Sequence, residues 1–114
     1  MNELEEYEGF VRAKAKWGGW QNVVYPMAGL AGEAGEVVDR LKKLMRGTED
    51  AQTFYENAWH DQEALLELGD CLYYLTALAH DLGFTMQDVI DANVEKLTER
   101  HKTAYYKIME RGDA

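Results

Sequence analysis

Between Leu65 and Leu82 the apolar side chains recur at alternating spacings of three and four: Leu65, Leu68, Leu72, Leu75, Ala79 and Leu82. A backbone with 3.6 residues per turn places all six on one stripe, and a strand, with its period of two, cannot. The run predicts an amphipathic helix with a heptad-like seam, stopped by Gly83. The same logic covers the rest of the chain. Leu4, Tyr7 and Val11 predict a first helix, broken by Trp17-Gly18-Gly19-Trp20. Leu30, Ala34, Val37, Leu41 and Leu44 form the stripe of a second helix. Its expected first turn holds Pro26, the chain's one proline, where a missing N–H costs nothing. Arg40, Lys42, Lys43 and Arg46 gather at its C-terminal end, where positive charge suits the helix dipole, and Gly47 closes it. Thr85, with Asp88 three residues on, resembles a capping box for a helix from about Met86 past Arg100. Its continuation reaches Tyr105 and Ile108, with the last few residues frayed. Residues 47–60 read as a polar connector that packs Phe54, Tyr55 and Trp59 around a short helical turn. No stretch alternates apolar and polar. The expectation is all-α: a single domain, residues 1–114, of four to five helices.

A domain of 114 residues buries only about two-thirds of the surface its unfolded chain exposes, so oligomerisation is expected. The chain carries 21 acids and 12 bases, a formal charge of −9. That excess disfavours a nucleic-acid footprint, which needs clustered positive charge. It leaves room for a small anionic ligand whose phosphates are screened by metal ions. The lone cysteine, Cys71, permits no intrachain disulfide and suggests a packed thiol in a reducing compartment. The acidic N-terminus lacks an apolar run, and nothing approaches the roughly 18 apolar residues of a membrane span. A cytoplasmic protein without membrane contact is expected.

Two acid pairs stand out. Glu33 and Glu36 lie three apart on the second helix; Glu67 and Asp70 lie three apart on the helix of the leucine seam. Residues i and i+3 share a helix face, so antiparallel packing of the two helices brings four carboxylates together. Hard cations such as Mg²⁺ want several oxygen ligands, and crowded like charges need a cation. The plain alternative is a solvated acidic face, which a chain this acidic produces easily. Gly29, Gly32 and Gly35 flank the glutamates inside the helix and together cost about 2–3 kcal/mol relative to alanine. A ridge of glycines admits a close backbone or ligand. Gly69, between Glu67 and Asp70, admits the same reading, and close helix packing alone is the alternative.

On the last helix Asn93, Lys96 and Arg100 share one face, an arrangement suited to phosphate oxygens or simply to solvent. Trp17, Trp20 and Tyr25 bracket the glycine turn and could stack a base or cap the bundle. Tyr73, Tyr74, Tyr105 and Tyr106 are ambiguous in the same way. His60, His80 and His101 lack zinc-like spacing, no Glu is followed by His three residues on, and there is no phosphate-binding Gly-Lys-Ser/Thr loop or nucleophile elbow.

The stretch from Tyr25 through Gly29-Leu30-Ala31-Gly32-Glu33-Ala34-Gly35-Glu36 to Val37 resembles the first signature of the MazG-like nucleotide pyrophosphohydrolases, of the all-α NTP pyrophosphatase superfamily. Glu67-Leu68-Gly69-Asp70-Cys71-Leu72-Tyr73-Tyr74-Leu75 resembles the second signature, and Asn93-Val94-Glu95-Lys96-Leu97 with Arg100 the third. The resemblance runs from about residue 25 to 101. It implies Mg²⁺-dependent hydrolysis of (deoxy)nucleoside triphosphates to monophosphate and pyrophosphate, with Mn²⁺ as a substitute metal. It implies that Glu33, Glu36, Glu67 and Asp70 hold metal and that Asn93, Lys96 and, more weakly, Arg100 contact substrate. It also implies a homodimer or homotetramer, a four-helix core built from helical hairpins on dimerisation, and active sites that draw on neighbouring subunits. One departure is the thirty residues between Glu36 and Glu67, at or beyond the long end of the usual spacing.

The expected chemistry is attack of a metal-activated water at the α–β phosphate linkage, with Glu33 or Glu36 orienting or deprotonating that water, Lys96 steadying the polyphosphate, and Trp17 or Trp20 facing the base. Two rivals remain open. One is a narrow-substrate relative, such as a dUTPase-like, dCTPase-like or phosphoribosyl-ATP pyrophosphohydrolase. The other is a non-catalytic acidic helical module.

Overall fold

The computed structural model describes the backbone of residues 1–110 and the side chains of residues 1–100. Five helices follow one another: α1 (Glu3–Lys14), α2 (Gln21–Met45), α3 (Ala51–Ala58), α4 (Gln62–Asp81) and α5 (Met86–Glu110), and the described residues hold no strand. The helix through Tyr105 and Ile108 therefore forms, and the fraying expected of the last few residues lies outside the described ones.

Local chemistry accounts for most of the ends. Asn2, Asp50 and Asp61 each accept a backbone N–H of the first turn they precede, from Glu5, Thr53 and Ala64. Thr85 and Asp88 form the reciprocal box: the Asp88 carboxylate accepts from the Thr85 N–H at 2.9 Å, and the Thr85 hydroxyl accepts from the Asp88 N–H at 3.0 Å. Gly47 and Gly83 take positive φ just past α2 and α4.

Pro26 corrects one expectation. It lies inside α2 and not in its first turn. The carbonyls of Gly18, Gly19 and Trp20 accept from Gln21, Asn22 and Val23, and the Asn22 side chain accepts from the Trp17 N–H at 2.8 Å. These bonds build a tightened turn ahead of the proline. The connector differs as well: its helical turn is the two-turn helix α3, and Tyr55 and Trp59 are 65% and 76% exposed instead of packed.

The centre of the fold is an antiparallel hairpin of α2 and α4. At one end the Arg40 guanidinium forks onto the Asp61 carboxylate at 2.8 and 2.7 Å and reaches Glu63 at 3.2 Å. At the other end the Tyr74 ring lies on Gly29, so closely that a Cβ there would sit 2.5 Å from a ring carbon. Tyr74 cannot easily swing aside, because Trp17 and Tyr25 flank it with ring centroids 6.2 and 6.4 Å away. α1 packs across α4 with Val11 buried, and the Glu8 carboxylate accepts the Met86 N–H at 3.2 Å, tying α1 to the start of α5.

The predicted leucine stripe of α4 forms but, among the described residues, finds no partner along most of its length. α4 turns Glu67 and Tyr74 towards α2, and Leu65, Leu68 and Leu72 point away. Val24, Met27, Val38 and Met45 of α2 lie on the same side of the hairpin by helical periodicity. Together these seven side chains are 42–65% exposed. The radius of gyration is 18.7 Å, against about 13 Å for a compact chain of this length.

Gly29→Ala is expected to destabilise the fold by about 1–3 kcal/mol through overpacking against Tyr74. Adding Tyr74→Ala should remove the clash, so that the double variant loses less than the two single losses added together. Urea unfolding of the four proteins measures this coupling.

Candidate active site

The register of the hairpin carries three of the four expected carboxylates to one place. Glu33 comes from the middle of α2; Glu67 and Asp70 come from successive turns of α4. One carboxylate oxygen of each lies within 4.8 Å of the others. Glu33 and Glu67 are half-buried and Asp70 is exposed. Glu36, one turn along α2, is exposed and lies outside this set, yet its charge is felt within it.

Electrostatics marks the cluster as strained when fully ionised. Burial pushes the Glu33 carboxyl above its usual range, and the charges of Asp70 and Glu67, a hydrogen bond with Glu67 and the charge of Glu36 push it further. Two carboxylates can share a hydrogen bond only if one keeps a proton. The same field extends outward. The Cys71 thiol is raised first by burial and then by Glu33, Asp70 and Glu67, and Tyr7 is raised by burial, Tyr73 and Asp70. Cys71 is half-buried, and its raised thiol suits the packed thiol that the sequence suggests. Three oxygen donors at this spacing, one of them reluctant to ionise beside the others, form a donor set that suits a hard divalent cation.

The remaining expected residues are placed differently. Asn93, Lys96 and Arg100 are exposed along α5, which packs on α1 and α4 and, among the described residues, makes no contact with α2. Trp17 stacks on Tyr25 at 4.8 Å as part of the aromatic group that holds Tyr74. Trp20 is 73% exposed at the start of α2. Of the four glycines beside the carboxylates, Gly29 is explained by close approach; a Cβ at Gly32, Gly35 or Gly69 meets nothing within 4 Å among the described residues.

An open cavity of about 430 Å³ adjoins the cluster. Glu33 and Asp70 form part of its wall, Gly69, Tyr73 and Tyr74 another part, and α1 supplies Tyr7, Phe10 and Lys14. Periodicity in the sequence puts Tyr7 on the apolar stripe of α1 with Leu4 and Val11, and singles out neither Phe10 nor Lys14. Their spacing of three and four on α1 was the available signal.

A profile described as the MazG nucleotide pyrophosphohydrolase domain matches residues 21–105. The chain belongs to the MazG family. The matched span holds both acid pairs and the α5 stripe, and it leaves α1, Trp17 and Trp20 outside. The chain is also 36% identical over 80 residues to the Gene 37 protein of Mycobacterium phage L5, across 70% of this chain and 67% of that protein. No solved structure gives a significant match. Among the described residues, no helix of this MazG chain is long and apolar enough to cross a membrane.

The raised Glu33 carboxyl has a defined pH signature. A carboxyl whose folded value lies above its unfolded value stabilises the fold at low pH, and that contribution is lost as pH rises through the folded value. In chelator, Glu33→Gln should therefore gain stability relative to the wild type between pH 4 and pH 8. Urea midpoints that keep a constant gap across this range would contradict the assignment.

Proposed function

We propose that this MazG chain hydrolyses (deoxy)nucleoside triphosphates to the monophosphate and pyrophosphate with Mg²⁺, and that the site is the acidic face of the α2–α4 hairpin. The observation that carries the reading is the convergence of Glu33, Glu67 and Asp70 from two helices. Membership of the MazG nucleotide pyrophosphohydrolase family supports the reaction class. The divalent cation, when bound, neutralises phosphate oxygens and makes water easier to ionise. Glu33, Glu67 and Asp70 would hold it. Glu36 is the better-placed general base of the two α2 glutamates, since it is exposed, one turn away and outside the tight donor set.

The working unit we propose is a homodimer. Its support is the unpartnered apolar side of the hairpin and an accessible surface of 8698 Å², where a compact monomer of this mass exposes about 6,400 Å². The difference is on the scale of a stable interface. Two such hairpins placed face to face make a four-helix core. In that arrangement Asn93, Lys96 and Arg100, which stand on the outlying α5, supply phosphate donors to the second copy's acidic face.

Pyrophosphate release from a panel of canonical and modified (d)NTPs, with Mg²⁺ and with chelator, tests the reading. The wild type should release pyrophosphate and monophosphate in equal amounts only with the metal. Glu36→Gln should lower kcat by about 100-fold or more while cation binding persists. Glu67→Gln should lose both. Turnover that survives in chelator, or in Glu67→Gln, would refute the site.

A further inference from the structure

The cavity beside the carboxylates has a second kind of wall that neither the family match nor the acid pairs explain. Tyr7 and Phe10 stack along α1 with ring centroids 6.0 Å apart and planes 26° from parallel. Phe10 is 51% exposed on this surface. Lys14 Nζ lies 5.2 Å from the centre of the Phe10 ring, and Lys14 is the one basic residue among the described residues that line the cavity. On α2, Arg40 pairs with Asp61 and Glu63, and Lys42 and Lys43 pair with Asp39.

A cation resting on an exposed aromatic ring is weakly held. A phosphate oxygen is a stronger partner for it. When the ammonium leaves for phosphate, the ring face it covered becomes free to stack. Among the described residues that line the cavity, Tyr7 and Phe10 offer aromatic faces, and every base has a face to stack whatever its hydrogen-bonding edge.

We infer that α1 carries the nucleoside subsite of this chain: the base stacks on the Phe10–Tyr7 surface with little preference among bases, and Lys14 moves from the Phe10 ring to a phosphate of the same ligand. The inference rests on the function proposed above for the identity of the ligand. It also places the nucleoside-binding surface of this chain on a helix outside the span shared with the family profile.

Calorimetric binding separates the two parts. The ligands are the Mg²⁺ complexes of the four α,β-imido deoxynucleoside triphosphates, which resist cleavage, and inorganic tripolyphosphate, which has no base. Phe10→Leu should weaken all four nucleotides by roughly 5- to 100-fold and leave tripolyphosphate unchanged. Lys14→Met should weaken nucleotides and tripolyphosphate alike by about 10-fold, and Lys14→Arg should restore both. Both side chains are exposed, so unchanged circular dichroism and melting will accompany these effects. Phe10→Leu binding all four nucleotides within twofold of the wild type would overturn the inference, and so would equal losses for nucleotide and tripolyphosphate in that variant. A wild type that releases pyrophosphate while both variants bind normally defeats the α1 subsite and leaves the proposed function standing. The predicted binding pattern without any hydrolysis defeats the function and leaves the subsite standing. A wild type that binds no nucleotide defeats both.

Discussion

The register of α2 against α4 governs everything the chain presents. It is pinned at two points of different chemistry. The bidentate Arg40–Asp61 pair holds one end, and the fork geometry of the guanidinium leaves little freedom to slide. That contact holds the Asp61 carboxyl down at about 2, through Arg40 first and the Ala64 N–H second. At the other end the Tyr74 ring fits only where a side chain is missing, over Gly29. Between these pins, Glu33 has no choice but to face Glu67 and Asp70. A slide of one turn would carry it past them.

The same register gives the hairpin two unlike sides. One side gathers carboxylates, with α1 laid alongside and a cavity between. The other carries Val24, Met27 and Val38 of α2 and Leu65, Leu68 and Leu72 of α4, all exposed. Neither side is at rest in an isolated chain. Clustered carboxylates are relieved by a cation, and a contiguous apolar face of this size is relieved by another surface. The catalytic reading and the dimer reading thus have a common origin in a hairpin whose sequence favours α2–α4 contact at the expense of the outer faces.

Much of this was legible from the residues, and the exceptions have identifiable causes. Helix ends at Gly47, Gly83 and the Thr85–Asp88 box depend on neighbours in sequence, so local rules find them. The acid pairs were visible because i, i+3 spacing on two helices survives any rotation that brings those faces together. Which three of the four carboxylates cluster was not visible, since that depends on the contact of Tyr74 with Gly29, forty-five residues away in the chain. Pro26 is not the helix start because carbonyls of the glycine turn before it accept the N–H groups of an extra helical turn. Tyr55 and Trp59 look like core residues by composition, and only the tertiary arrangement shows them exposed. Lys14 and Phe10 join the cavity because α1 crosses α4, a crossing secured by Val11 and by the bond from Met86 to Glu8.

The most direct test of the account is the unfolding temperature as a function of Mg²⁺ concentration at neutral pH, for the wild type and Glu67→Gln. A cation that binds only the folded site raises stability with its concentration. The melting temperature of the wild type should rise with Mg²⁺, that of Glu67→Gln should not depend on it, and the variant should be at least as stable as the wild type in chelator. A wild type indifferent to Mg²⁺, together with a variant less stable than it in chelator, would show that the three carboxylates serve the fold and do not form a cation site.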